Sequence, residues 1–94
     1  MTEQVWVFTG HNSSFPAGVF SSQQLGEAWI RQHRLSGTLT ASPLDIGAYD
    51  WAVKSGAFKP KGDRHKMPGF IATFSSASQP HERYQNGEPG HAAG

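Results

Sequence analysis

Residues 18–30 constrain the fold most, because they encode a short strand that runs directly into an amphipathic helix. Ser21 is predicted to cap this helix, since its hydroxyl can accept from the N–H of Gln24, whose amide can reach back to Ser21. Phe20 and Leu25 occupy the flanking hydrophobic-staple positions. The buried face of the helix is predicted to carry Leu25, Ala28, Trp29 and Gln32. The stretch therefore predicts a packed β-turn-α unit.

The first helix is predicted over 22–34. Gly26 inside it costs about 1 kcal/mol relative to Ala, so we expect either a close approach of another element there or an imperfect helix. Gly37 can take a positive φ and is expected to mark the exit from the helix.

Apolar and alternating runs predict the strands. Residues 4–8 form an apolar, β-prone run, and residues 19–20 are expected to pair with it as a hairpin. Residues 38–46 predict a third strand, but Pro43 cannot donate to a ladder, so we expect a bulge or an edge position there. A last short strand is predicted at 81–84.

Two further helices are predicted in the second half of the chain. The helix at 47–55 is expected to be capped by Asp45 and ended by Gly56. The helix at 68–75 is opened by Pro68.

These elements predict one α+β domain over residues 1–85, with a small sheet of three to four strands packed against two or three helices. Residues 86–94 contain three Gly and one Pro, and this composition predicts a flexible tail.

Several kinds of chemistry find no support in the residues. The chain has no Cys, and its five His follow no spacing that places two metal ligands on one helix face. No G-x-S-x-G elbow or phosphate-binding Gly-rich loop is present. We predict no catalytic residue, metal or cofactor. The first residues lack a signal-peptide pattern and no apolar run reaches membrane-spanning length, which predicts a cytoplasmic protein.

Tyr49-Asp50-Trp51 is the cluster most typical of a binding site. An exposed Trp beside a charge is common at protein-binding hot spots. The alternative is that Trp51 packs under the Phe58 loop or against Trp6, and we favour it because large aromatics in small domains usually belong to the core.

A second candidate is the basic segment Lys54 to Lys66. Five of the eight Lys and Arg lie in it against one acidic residue, Asp63, although the net charge of the chain is only +1. Such a segment is typical of a solvated loop, and it can also pair with phosphates or with an acidic partner. The candidate binding residues in this segment are Lys59, Lys61, Arg64 and Lys66.

Four motifs carry a resemblance to a known family: Val5-Trp6-Val7-Phe8-Thr9-Gly10, Gly18-Val19-Phe20-Ser21-Ser22 with Ala28-Trp29-Ile30, Tyr49-Asp50-Trp51-Ala52, and residues 70–79. In this order they resemble a family of small uncharacterised bacterial proteins of unknown function. The resemblance implies a compact α+β domain and no particular activity.

We therefore expect a small, non-enzymatic protein-binding module, regulatory or immunity-like. Its partner is another protein or a second copy of the chain, which would pair through the edge strand near Pro43 or through an apolar helix face. The first alternative is weak nucleic-acid binding through Lys54 to Lys66. The second is a small enzyme with an unrecognised site.

Overall fold

The computed structural model describes residues 3–90 as a five-stranded antiparallel sheet with three α-helices and one 3-10 helix. The strands are β1 (Gln4–Gly10), β2 (Pro16–Phe20), β3 (Gly37–Pro43), β4 (His81–Gln85) and β5 (Glu88–Pro89). The helices are α1 (Gln23–His33), α2 (Ala48–Ser55) and α3 (Pro68–Ala72), with the 3-10 helix at Asp63–Lys66. No helix within residues 3–90 is long and apolar enough to cross a membrane.

The strand order β2-β1-β3-β4-β5 confirms the α+β class and the hairpin of the first two strands. The sheet has five strands instead of three or four, because the chain turns back and pairs once more with β4. Asn86 and Gly87 have φ values of 53° and 87°, the left-handed pair that a two-residue hairpin turn requires. The hairpin thus takes up the start of the expected tail, and residues 91–94 of that tail lie outside the described residues.

Helix α1 begins at Gln23, one residue later than predicted, and its capping residue is shifted by one residue as well. The Oγ of Ser22 accepts a hydrogen bond from the N–H of Leu25 at 3.2 Å, so the prediction that Ser21 caps the helix is wrong. Either serine can supply this hydroxyl. Ser22 performs the role because its backbone is still extended, with φ −147° and ψ 158°, immediately before the first helical residue.

The buried face of α1 differs from the predicted one. Gly26 and Ile30 are buried, whereas Leu25 is 56% exposed and Ala28 and Gln32 are also exposed, so the predicted face is wrong at these three positions. A Cβ placed on Gly26 would lie 3.0 Å from both δ carbons of Leu39 on β3. The close approach expected at this glycine is therefore confirmed.

The main core lies between α1 and one face of the sheet. Trp29 of α1 packs edge-on against Phe8, with ring centroids 5.8 Å apart, and lies 5.5 Å from Phe20. The buried members are Phe8, Ile30, Leu39 and Tyr84, and the partly buried ones are Trp6, Phe20, Trp29 and Leu35.

Strand β3 stays in register with β1 from Gly37 to Pro43, so the bulge expected near Pro43 is absent. Pro43 instead lies beyond the part of β3 that β4 pairs with, which ends at Thr40, in agreement with the edge alternative. The register shift of the sheet falls between Phe8 and Thr9 in the pairing of β1 with β2.

Helix α2 starts differently from the prediction. The N-cap residue of α2 is Gly47, which has no side chain to accept a hydrogen bond from the first turn. The prediction that Asp45 caps α2 is therefore wrong. Asp45 instead adopts a left-handed φ of 67° in the turn that leaves β3. Gly56 ends the helix with φ 83°, and Pro68 opens α3, both as predicted.

Candidate functional site

Strands β3 and β4 are neighbours in the sheet, yet the 37 residues 44–80 separate them. A hairpin between antiparallel neighbours needs only about two to five residues, and much longer connections in compact domains usually serve a function. All the predicted site residues lie in this part of the chain, which we call the 44–80 segment.

The 44–80 segment packs around its own rings, which share no residue with the main core. The ring of Phe58 lies 5.9 Å from that of Tyr49, 5.7 Å from that of Phe70 and 5.0 Å from that of Phe74. We refer to these four residues together with His65 as the ring cluster. It joins α2, the 3-10 helix and α3 into one unit.

His65 connects the backbone of the basic segment to the phenylalanine rings of the ring cluster. Its ring stacks on Phe70 with centroids 4.8 Å apart and planes at 24°. Its Nδ1 accepts a hydrogen bond from the N–H of Lys61 at 2.9 Å. The loop around the lysines therefore has a fixed backbone anchor, which its composition alone did not reveal.

Gln79 anchors the return of the segment to the sheet. Its side chain is buried, and Oε1 accepts from the N–H of Ser76 at 2.9 Å while Nε2 donates to the carbonyl of Ala41. The N–H of Ala41 also donates to the carbonyl of Pro80 at 2.8 Å. Sequence reasoning missed this role, since Gln79 ends a small polar stretch with no periodicity.

Tyr49-Asp50-Trp51 divides between the interior and the surface. Tyr49 contacts three rings of the ring cluster, and Asp50 is exposed. Trp51 is half-buried, and across residues 3–90 its ring pairs with no other aromatic ring.

The cations of the basic segment are all exposed. The ion pairs present within residues 3–90 join Arg31 to Glu27 and Glu88, so none of these cations is neutralised by a neighbour. Met67 and Ile71, one helical turn apart beside them, are 56% and 39% exposed. We call the basic surface the set Lys54, Lys59, Lys61, Arg64, Lys66, Met67 and Ile71.

Within residues 3–90, no three His, Asp or Glu side chains are placed to hold a metal ion. Burial and the nearby Glu27 carboxylate raise the pKa of Tyr84 to about 12, and its phenol donates to Glu27 at 3.2 Å. A phenol that stays protonated to such a high pH acts as a structural hydrogen-bond donor in the core.

These features define a small α+β domain with a basic helical unit inserted between two neighbouring strands. The chain belongs to the family described as domain of unknown function DUF7710, whose profile matches residues 5–90. No curated protein and no solved structure matches the chain. The predicted membership of a family of unknown function is confirmed, while the four motifs and the bacterial origin stay predictions.

Proposed function

We propose that the protein is a non-enzymatic protein-binding module, regulatory or immunity-like, that docks on an acidic partner protein through its basic surface. The observation that supports this proposal is the combination, on one unit, of the exposed side chains of Met67 and Ile71 with five exposed cations that form no ion pair within residues 3–90. Charges steer and orient an encounter, and apolar side chains supply the buried contact area.

Nucleic-acid binding through Lys54 to Lys66 is the alternative. Proteins that bind single-stranded nucleic acid stack its bases on exposed aromatic rings. Here Phe58, Phe70 and Phe74 turn toward one another in the ring cluster, and aliphatic side chains stand beside the cations. The arrangement therefore favours a protein partner over a nucleic acid. A nucleic acid would contact this surface through its phosphates alone.

A second copy of the chain is a poorer partner for this surface than a different protein. A two-fold symmetric contact would place the basic surface against itself and bring its five cations together. In the proposed complex, Asp50 and Trp51 lie at the α2 side of the contact, and Tyr49 supports them from the ring cluster.

Site-specific photo-crosslinking tests the proposal. A benzophenone amino acid replaces Lys66 on the basic surface or, as a control, the exposed Gln24 of α1, in cells that naturally make the protein. We expect one discrete protein adduct from position 66 and none from position 24. Equal adducts at both positions, or no protein adduct at position 66, would contradict the proposal.

The captured protein is then purified and titrated against the native chain. Lys66→Glu is expected to weaken binding about tenfold, because it places a carboxylate against an acidic partner. Arg34→Glu makes the same charge change at the residue that follows α1 and is expected to alter affinity less than about twofold. If both variants weaken binding equally, the contact reflects net charge and not this surface. If only nucleic acid binds, with a steep dependence on salt, the alternative is correct.

A further inference from the structure

The sheet face opposite α1 carries two rows of side chains that the strand register places side by side. One row is Thr9, Thr38 and Arg83, and the neighbouring row is Val7, Thr40 and His81. Side chains alternate between the two faces of a strand, and Phe8 and Leu39, which lie between these positions, are buried in the main core. Both rows therefore face away from α1.

A groove runs over these rows. It consists of two concavities of about 560 Å³ and 450 Å³ that share Thr9 and Thr38. Residues 74–77 and Gln79 line one end, and His11 and Asn12 of the β1–β2 loop line the other. Each volume lies within the range of small-molecule sites. The Gln79 side chain is hydrogen-bonded to Ala41 of β3, and this bond holds the end of the groove lined by residues 74–77 in place.

The lining of the groove is electropositive and rich in hydrogen-bond donors. It includes Arg83, His11, His81 and several hydroxyls, and no Asp or Glu of residues 3–90 lines it. Arg83 is exposed and forms no ion pair within those residues. Glu82 pairs with Leu39 and therefore belongs to the opposite face of the sheet.

The ring of His81 is oriented by Gln79, the residue that also anchors one end of the groove. Its Nδ1 lies 2.9 Å from the carbonyl oxygen of Gln79, which can only accept, so Nδ1 carries a proton and donates. The second ring nitrogen, Nε2, remains available to a ligand beside Thr40.

We propose that this groove binds a small organic anion, with a carboxylate or phosphate group at Arg83 and further polar atoms at Thr38 and Thr40. The planar guanidinium matches either group with two parallel hydrogen bonds, and threonine hydroxyls donate to the remaining oxygens. The groove does not include the basic surface, so this proposal and the protein-binding proposal stand or fall separately.

Backbone amide NMR of the native chain tests the groove with two probes, inorganic phosphate and acetate, each titrated at constant ionic strength. We expect saturable shifts confined to amides near 9–12, 38–42 and 81–85. The probe that binds more tightly identifies the anionic group preferred at Arg83. Arg83→Gln is expected to weaken binding about tenfold by removing a charged hydrogen-bond donor.

Two more variants make the result decisive. Lys59→Gln removes the same charge from the basic surface and is expected to leave the affinity within about twofold. Thr40→Val keeps the side-chain shape without the hydroxyl, so it tests the groove even if Arg83→Gln folds poorly, and it is expected to weaken binding about threefold. The proposal is overturned if neither probe causes saturable shifts, if the shifts centre on residues 59–66, or if Lys59→Gln weakens binding as much as the groove variants.

Discussion

Gln79 donates a hydrogen bond from Nε2 to the carbonyl oxygen of Ala41 at 3.3 Å, across a sequence separation of 38 residues. Both residues are buried, with 5% of Gln79 and 0% of Ala41 exposed. The other end of the same amide holds the N–H of Ser76. One side chain thus joins β3 to the end of the 44–80 segment and satisfies backbone groups on both.

Gln79→Ala is expected to lower the free energy of unfolding by about 2 kcal/mol, because it leaves the Ala41 carbonyl and the Ser76 N–H without these partners. Urea denaturation measures the change. Gln32→Ala, at an exposed position of α1, is the matched control and should stay within about 0.5 kcal/mol of the native chain. A loss no larger than the control's would show that water replaces the amide without cost.

Gly26→Ala is expected to destabilise the protein by about 1 kcal/mol, although Ala is the better helix former. The added methyl would lie 3.0 Å from the δ carbons of Leu39, whose side chain is fully buried, and 3.2 Å from the ring of Phe20. Gly69→Ala in α3 is the control, and it should be neutral or stabilising. Apart from its chain neighbours and the backbone of its own helix, no group of residues 3–90 lies within 4 Å of the position that its methyl would take. Thermal unfolding of both variants tests the pair, and stabilisation by both would contradict the close contact.

The two adjacent serines before α1 should differ in their effect on stability. Ser22→Ala removes the hydroxyl that accepts from the N–H of Leu25, and we expect a loss of about 1 kcal/mol. Ser21→Ala removes a hydroxyl that forms no hydrogen bond within residues 3–90, and it should cost less than about 0.5 kcal/mol. The reverse order in chemical denaturation would restore the cap to Ser21.

The stability of the native chain should fall at alkaline pH because of Tyr84. Its pKa is about 12 in the folded protein against an ordinary value of 10.0, owing first to burial and then to Glu27. The unfolded chain therefore loses this proton at lower pH, so the contribution of Tyr84 is complete below pH 10 and declines as the pH rises toward 12. Denaturation of the native chain and of Tyr84→Phe at a series of pH values measures the decline.

The comparison with Tyr84→Phe isolates the part of the pH dependence of stability that comes from this phenol. Between pH 10 and 12, the native chain should lose more stability than Tyr84→Phe, which has no phenol to titrate. Absorbance of tyrosinate should also show one late-ionising phenol that is missing in the variant. Parallel pH profiles would mean that the phenol is not held protonated by the fold.

Local signals in the sequence predicted the elements whose causes are local. Gly56 and Pro68 were sufficient to place the end of α2 and the start of α3. The Asn86-Gly87 pair is an equally local signal, and it predicts the β4–β5 turn, but the glycine-rich composition around it favoured a tail instead. Ser21 and Ser22 offer the same hydroxyl, so chemistry alone could not choose between them.

The sites depend on contacts between distant residues, and the sequence shows these poorly. The alternation of Thr38 and Thr40 was visible, but their pairing with Arg83 and His81 requires the register of β3 with β4. Gln79 has no pattern at all, because its role depends on reaching Ala41. The basic segment was recognised from charge alone, whereas the rings beneath it became one cluster only in three dimensions.

The 44–80 segment also sets the order in which the domain can assemble. Strands β1 and β2 pair across a short loop, and β3 returns to β1 after the 26 residues 11–36. Bringing β4 beside β3 closes a loop of 37 residues, which costs about 2 kcal/mol more chain entropy than a four-residue turn. We therefore expect the β4–β5 hairpin to dock late in folding. The groove is completed in that same step, so its affinity for a ligand would report on the last event of folding.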